Sequence, residues 1–417
     1  MAMSYLATFV FAVIVTVTVT FFLYHTGLFN QIQHANATRS IQKQQAIANF
    51  GVLGRHTVES RLRARAIPNQ RLAKAFGIVS SFTTEDPTIH YEFLRRASID
   101  IDKMGPEHCV EFFNAAKLAL DRTIHYFGPP VPPGHQYTLP LARVTRAFVL
   151  ITTLNKFFSI NPLSVDVDAA IQASEAINRL WVQSRIPEQA GQSADQTLLQ
   201  HSLERLLPGR FPCEPKDHPL NIIMPAYETM WRAVLLTFVE AGFRTRDETA
   251  SRQFQRVVEA IPECFGGADR WYGQVALDCA KEGLRLYPPT KRIYRAVPGT
   301  RGRTEIRYAD VEKCHRDETV WGPDALQFRP SRWQFVSADM RRAFMPFGDG
   351  RHMCPAARGF GYRAVIIFAA VLARRLGTRE SGVGVHFGGR NAELQSRPEA
   401  LLPYGRQELE DWLYVVG

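Results

Sequence analysis

Apolar positions along the chain gather into a few long runs at helical spacing, separated by clusters of proline and glycine. The first run, Tyr5 to Tyr24, is 20 residues without a charge, long enough to cross a bilayer as a helix. From Tyr91 to Phe127 the spacing predicts helix, and the GPPVPPG stretch at 128–134 ends it, because proline cannot continue a helix and glycine favours turns. Helical patterns return over Leu139–Phe158 and Val165–Leu207, the latter broken by LPGRFPCEPKDHP. Asn221–Phe243 reads as a long, largely buried helix, and Phe254–Ile261 and Trp271–Leu286 as two more. Between Tyr294 and Trp333 the pattern changes to short β-prone pieces punctuated by Gly, Pro and Asp. A final long helix is expected from Pro355 to Leu376, and the tail from Ser381 can add a small sheet. The expected fold class is mainly α with a minor β part, its polar chemistry concentrated in the carboxyl half.

Composition narrows the picture. A chain of 417 residues, 46% hydrophobic and 22% charged, has the make-up of a folded globular protein that one large helical domain could use entirely. Six cysteines without a C-x-x-C pair argue against a zinc site or a dense disulfide framework and for a reducing compartment. The net charge of +10 is spread along the chain; it suits an acidic protein partner or an anionic membrane surface before nucleic acid, for which no motif is present. "MAMS" puts no positive charge ahead of the first apolar run, which favours a retained membrane anchor over a cleaved signal. Arg39, Lys43, Arg55, Arg61, Arg63, Arg65, Arg71 and Lys74 follow it, and this excess of positive charge places the body of the protein in the cytosol.

The densest chemistry lies in FMPFGDGRHMCPAARGFG, Phe344 to Gly361. Cys354 precedes Pro355, which suits a first helical position, so its sulfur is expected at a helix amino terminus where a thiolate is favoured. Gly348 and Gly350 allow a tight turn that can hold a flat cofactor close to the backbone, and Arg351 and His352 add positive charge. Taken alone, Cys354 reads first as a buried core cysteine.

The surrounding letters decide. With Phe347, Gly350, His352 and Cys354 in register, the loop resembles the haem-binding loop of the cytochrome P-450 family, departing from it at Ala356, where the family often has Gly. Three further landmarks follow the family's order: Glu282-x-x-Arg285 before Leu-Tyr-Pro-Pro, Pro330-x-Arg332-Trp333, and Pro225-Ala-Tyr-Glu228-Thr229. Glu282 and Arg285 could otherwise be a solvated i,i+3 pair, and Thr229 could merely bond back to its own helix. The resemblance implies a cytochrome P-450-like fold preceded by one transmembrane helix: an anchor at 1–30, a basic linker at 31–75, and a haem-thiolate catalytic domain at 76–417, best matched over 220–376. It implies haem b bound axially through Cys354, with His352, Phe347, Gly348, Gly350 and Arg295 around the cofactor. Glu282, Arg285 and Arg332 would form a buried triad, and Thr229 with Glu228 would hand protons to dioxygen. Pro225, inside a helix, is expected to widen the turn beside them. The implied partners are an NADPH-dependent reductase, O2 and a lipophilic small molecule. The implied setting is the endoplasmic reticulum membrane, with a lean toward fungal secondary-metabolite biosynthesis. Compared with membrane-bound members, several dozen residues of the region before Thr229, including most of an early sheet, are expected to be missing. This leaves an inactive, membrane-anchored haem-binding relative as the alternative reading.

Overall fold

The computed structural model describes residues 2–102, 106–128, 137–186, 193–261, 263–265, 270–403 and 405–416; the GPPVPPG stretch falls outside them apart from Gly128. Helices dominate. In chain order they are α1 (Ala2–Ala48), α2 (Val58–Phe76), α3 (Pro87–Asp102), α4 (Pro106–Phe127), α5 (Leu141–Phe158), α6 (Val167–Gln183) and α7 (Ala194–Leu206). The carboxyl half adds α8 (Leu220–Arg244), α9 (Glu248–Ala260), α10 (Arg270–Leu286) and α11 (Phe360–Leu376).

Helix α8 is long and apolar enough, by length and composition, to cross a membrane, yet two-thirds of its most apolar stretch is buried. A helix apolar on most faces belongs at the centre of a large core, and α5, α10 and α11 pack around it. The close approach of α8 and α10 depends on Gly283, where a Cβ would lie 2.1 Å from the Thr237 hydroxyl oxygen.

The β part is small. β1 (Tyr137–Pro140), β5 (Leu413–Val416) and β4 (Gly384–His386) form an antiparallel sheet in the order β1-β5-β4. The predicted β-prone region contributes a hairpin, β2 (Arg292–Pro298) against β3 (Thr304–Asp310). Among the described residues no strand precedes Tyr137.

Two helical expectations change. Residues 31–75, read as a linker because their polar pattern shows little periodicity, are folded: α1 continues unbroken to Ala48, and α2 opens on a capping box between Thr57 and Ser60. The end of α1 buries Ile41, Ile47 and Ala48 against Ala309, Cys314 and Trp321, and Gln44 accepts a hydrogen bond from the Asp310 N–H at 2.8 Å. The helix expected from Pro355 is a short 3-10 turn, Pro355–Arg358, and α11 begins only at Phe360, after Gly359 with φ 128°.

Candidate functional site

The loop before α11 is shaped by glycine. Gly348 and Gly350 both adopt positive φ, 79° and 71°, and a Cβ at Gly350 would also meet that of Asn49 at 2.5 Å. The turn they make brings the Cys354 N–H to the Phe347 carbonyl at 2.9 Å. Phe347 stands edge-on to Tyr362 at 5.0 Å, over Gly361, where any side chain would strike the Phe347 ring. Cys354 is not disulfide-bonded and caps the 3-10 turn, not the long helix. Burial pushes its thiol above the usual range, opposed by a hydrogen bond from the Ala356 N–H. Cys354 therefore stands at the start of a short 3-10 turn, which corrects the expectation that it would open the long helix itself.

Behind the loop, Glu282, Arg285 and Arg332 do meet, and all three are buried. Arg285 donates to both Glu282 oxygens, Nε to Oε2 at 2.9 Å and Nη2 to Oε1 at 2.8 Å. Arg332 Nε adds a third hydrogen bond at 2.9 Å, and the Trp333 indole and the Arg329 N–H complete the carboxylate's shell. Remaining guanidinium donors reach carbonyls of His315, Ala325 and Asp324. Burial raises the Glu282 carboxyl, but the charge and hydrogen bond of Arg285, then Arg332, outweigh it and hold the group below the usual range. His315 ties the triad to the loop: Nδ1 lies 3.1 Å from the Arg285 carbonyl and Nε2 accepts the Met345 N–H at 2.8 Å.

Across the cavity, Met224–Glu228 forms a π-turn within α8, with Pro225 inside it, as the proline predicts. Thr229 follows directly; its hydroxyl finds no protein partner among the described residues, so it does not bond back to its helix. Glu228 does not face solvent either: it is buried and ion-paired with Arg406, a residue no motif marks. Cys354, Phe347, Gly348, His352, Arg295, Glu228 and Thr229 all line one cavity of about 1340 Å³, larger than the pockets that ordinarily hold a single small ligand.

One wall of this cavity collects positive charge. Arg65, from α2, and Arg295, from β2, line it, and Arg61, also on α2, stands behind them against His352. Arg295 donates to the Ala48 carbonyl at 2.8 Å and lies over Phe50 at 4.2 Å. Arg61 Nε donates to His352 Nε2 at 3.2 Å, leaving Nδ1 as the protonated ring nitrogen. His352 stacks on His90 at 4.8 Å. Burial, then Arg65, His90, Arg61 and Arg295, push His352 down to about 3; it is neutral, contrary to the positive charge expected of it. No carboxylate pairs with Arg61, Arg65 or Arg295 among the described residues, and Arg65 Nε, Arg295 Nε and His352 Nδ1 are buried without a partner.

These orphaned donors, a thiol in the same cavity and glycines that keep side chains off the loop fit a flat cofactor with an iron for the sulfur and carboxylates for the arginines. Sequence reasoning missed Arg61, Arg65, His90, Phe50 and Arg406 as site residues. The run of arginines after residue 55 was the only signal, and it read as membrane charge.

Comparison with known proteins agrees with this geometry. The cytochrome P-450 family profile matches residues 276–358. The bifunctional cytochrome P-450/NADPH–P-450 reductase 2 of Bacillus subtilis is 37% identical over 101 residues, 22% of this chain and 9% of the relative. A cytochrome P-450 monooxygenase of Emericella nidulans is 50% identical over 56 residues, 12% of this chain and 10% of the relative. The chain thus spans about a tenth of the length of these two relatives. The fold resembles the crystal structure of a cytochrome P-450 from Thermus thermophilus, with a TM-score of 0.52, 18% identity and coverage of 79% of this chain and 80% of that one. A 6-coordinated cytochrome P-450 from another strain of that species gives 0.50, 18%, 76% and 82%.

Proposed function

Because the chain belongs to the cytochrome P-450 family, we propose that it is a haem-thiolate monooxygenase that inserts one oxygen atom of O2 into a lipophilic small molecule. The observation that carries the reading is a single cavity with Cys354 and unpaired buried arginines in its wall together with the unengaged Thr229 hydroxyl. Haem b, when bound, supplies the oxygen activation that no side chain can perform, its iron tuned by the thiolate.

The chain's own residues do the rest. The Glu282 network fixes the segment through Arg332 and, via His315, holds Met345 ahead of the Cys354 loop. Arg61, Arg65, Arg295 and the Nδ1–H of His352 supply donors for the cofactor's carboxylates. Thr229, beside the π-turn, offers its hydroxyl as a proton donor within the cavity. Glu228 reaches the same region but is held by Arg406, so it serves first to orient that arginine and second as a carboxylate in the proton path.

Electrons come from an NADPH-dependent reductase in this reading, a role supported by the fused reductase named in the Bacillus relative. Anchoring of the chain to the endoplasmic reticulum membrane through Tyr5–Tyr24 is part of the proposal, supported by the exposed Val13, Ile14, Val15, Val17 and Phe21 on α1 and the basic stretch after it. A role in secondary-metabolite biosynthesis rests on the fungal wording of the motifs. The test is spectroscopic: the purified chain, reduced under carbon monoxide, is expected to show the red-shifted Soret band of a thiolate-bound haem, and Cys354→Ala is expected to lose it. A chain with no haem spectrum overturns this reading, whereas the inactive haem-binding alternative keeps the band and shows no turnover.

A further inference from the structure

The cavity holds a second group of arginines, away from the His352 cluster. Arg71, on α2, and Arg406 both lie against the ring of Trp181, at 5.2 and 4.8 Å from its centroid, and Arg185 lies just past the end of α6; all four line the cavity. Arg406 is engaged by Glu228 and by the Asn178 amide oxygen at 3.2 Å. Arg71 and Arg185 meet no carboxylate among the described residues. Arg71 is oriented instead by the Ser184 hydroxyl, which accepts from its Nη1 and donates to the Trp181 carbonyl at 2.7 Å.

This arrangement is uneconomical without a ligand. Burial, then the charge of Arg185, pulls Arg71 down to about 10, and Arg406 also feels Arg185 and Arg71 as like charges. Other carboxylates of the cavity wall do not relieve them: Glu92 is paired with Arg96 and Glu312 with Arg316, and Asp86, Asp100, Asp217 and Glu408, which also line it, form no ion pair with Arg71 or Arg185 among the described residues. A guanidinium has five N–H donors in a fixed fork, and one of Arg71's is used by Ser184, which leaves an edge for a bidentate carboxylate. Apolar residues of the same cavity, Leu72, Phe157, Phe158 and Met230 among them, suit a hydrocarbon body.

We propose that the cavity binds an amphipathic organic acid, its carboxylate held by Arg71 and Arg185 beside Trp181 and its apolar body directed into the space beside Thr229. This rests on the monooxygenase reading and narrows its substrate class from lipophilic molecules in general to those carrying an anionic head.

The experiment compares decanoate with decanol, equal in chain length and different in charge, by the spectral shift each induces in the haem-loaded full chain. Decanoate is expected to bind at least about tenfold more tightly, as charge-assisted hydrogen bonds confer. Arg71→Gln is expected to erase that preference while leaving decanol affinity and haem content unchanged. Should Arg71→Gln fold poorly, the exposed Arg185→Gln is expected to cut the preference severalfold. Equal affinity for the two compounds in the wild type, or a preference that survives both variants, overturns the proposal. Failure of the monooxygenase reading is seen separately: a chain that takes up no haem can still be titrated by tryptophan fluorescence. A decanoate-specific change that disappears in Trp181→Phe then upholds the anion site, and none refutes it.

Discussion

Around Glu282 opposite charges close on one another, whereas around His352 like charges converge with nothing between them. In the first cluster each carboxylate oxygen of Glu282 accepts two hydrogen bonds or more, and the guanidinium groups spend their remaining donors on backbone carbonyls. In the second, three arginines gather around two neutral histidines, and buried nitrogens are left without partners. Burying an unpaired charge costs far more than burying a paired one. A fold therefore retains the open cluster only where something outside the chain completes it. The closed cluster is architecture; the open one is a socket.

The difference can be broken most sharply at its closed end. Glu282→Gln removes the one carboxylate that both buried arginines share, leaving Arg332 only its contact to Asp324, and loss of one partner from such a network costs roughly 3–5 kcal/mol. Urea unfolding monitored by circular dichroism should show a destabilisation of that size with haem present or absent. A loss under about 1 kcal/mol would mean that the triad is no more than a surface-like ion pair.

Acid provides the next largest effect. Burial and then Arg285 push His315 down to about 3, against about 6.5 for an unfolded histidine. Between those values the unfolded chain binds a proton that the folded chain refuses, so stability falls as pH falls through that window, by about 1.4 kcal/mol per unit for this group. Glu282 acts in the same direction but later, because its depressed carboxyl is protonated only below the usual carboxylate range. From pH 6.5 to 5 the His315 share is about 2 kcal/mol. His315→Gln should flatten the measured slope by that amount, and an unchanged slope would show that His315 is not the refused proton.

How legible each cluster is in the sequence follows from the same contrast. Glu282, Arg285, Arg332 and Trp333 stand at short, regular intervals within recognisable words, and a helix fixes the geometry of the first two by itself. The open cluster is assembled from the end of α1, from α2, from the start of α3 and from β2, with Phe50, Arg61, Arg65, His90 and Arg295 separated by long stretches of chain. Local periodicity tells which face of a helix is apolar, not which distant loop that face will meet. Arg61 and Arg65 accordingly read as membrane-facing charge, and Arg406 carried no signal. The break at Gly359 was visible as a letter, but nothing local said that α11 would start after it and not at Pro355. Pro225 was legible because a proline in a helix has few outcomes, and the π-turn is one of them.

The smallest effect on stability is also the most discriminating. Arg295 is buried, donates to the Ala48 and Tyr294 carbonyls, lies over Phe50, and is pulled down to about 9 by burial and then by Arg65. Arg295→Met keeps much of the hydrocarbon volume, forfeits two hydrogen bonds to carbonyls, and removes a charge that no carboxylate among the described residues balances. Gain and loss nearly offset, so the haem-free protein should change by no more than about 1 kcal/mol. The haem-loaded protein should instead release its cofactor to a haem-scavenging apoprotein about tenfold faster, because one charge-assisted contact to a carboxylate is gone. If Arg295→Met destabilised the haem-free chain as severely as Glu282→Gln, the two clusters would be alike and the open one would be architecture after all. If haem release were unchanged, the socket would be made by Arg61 and Arg65 alone.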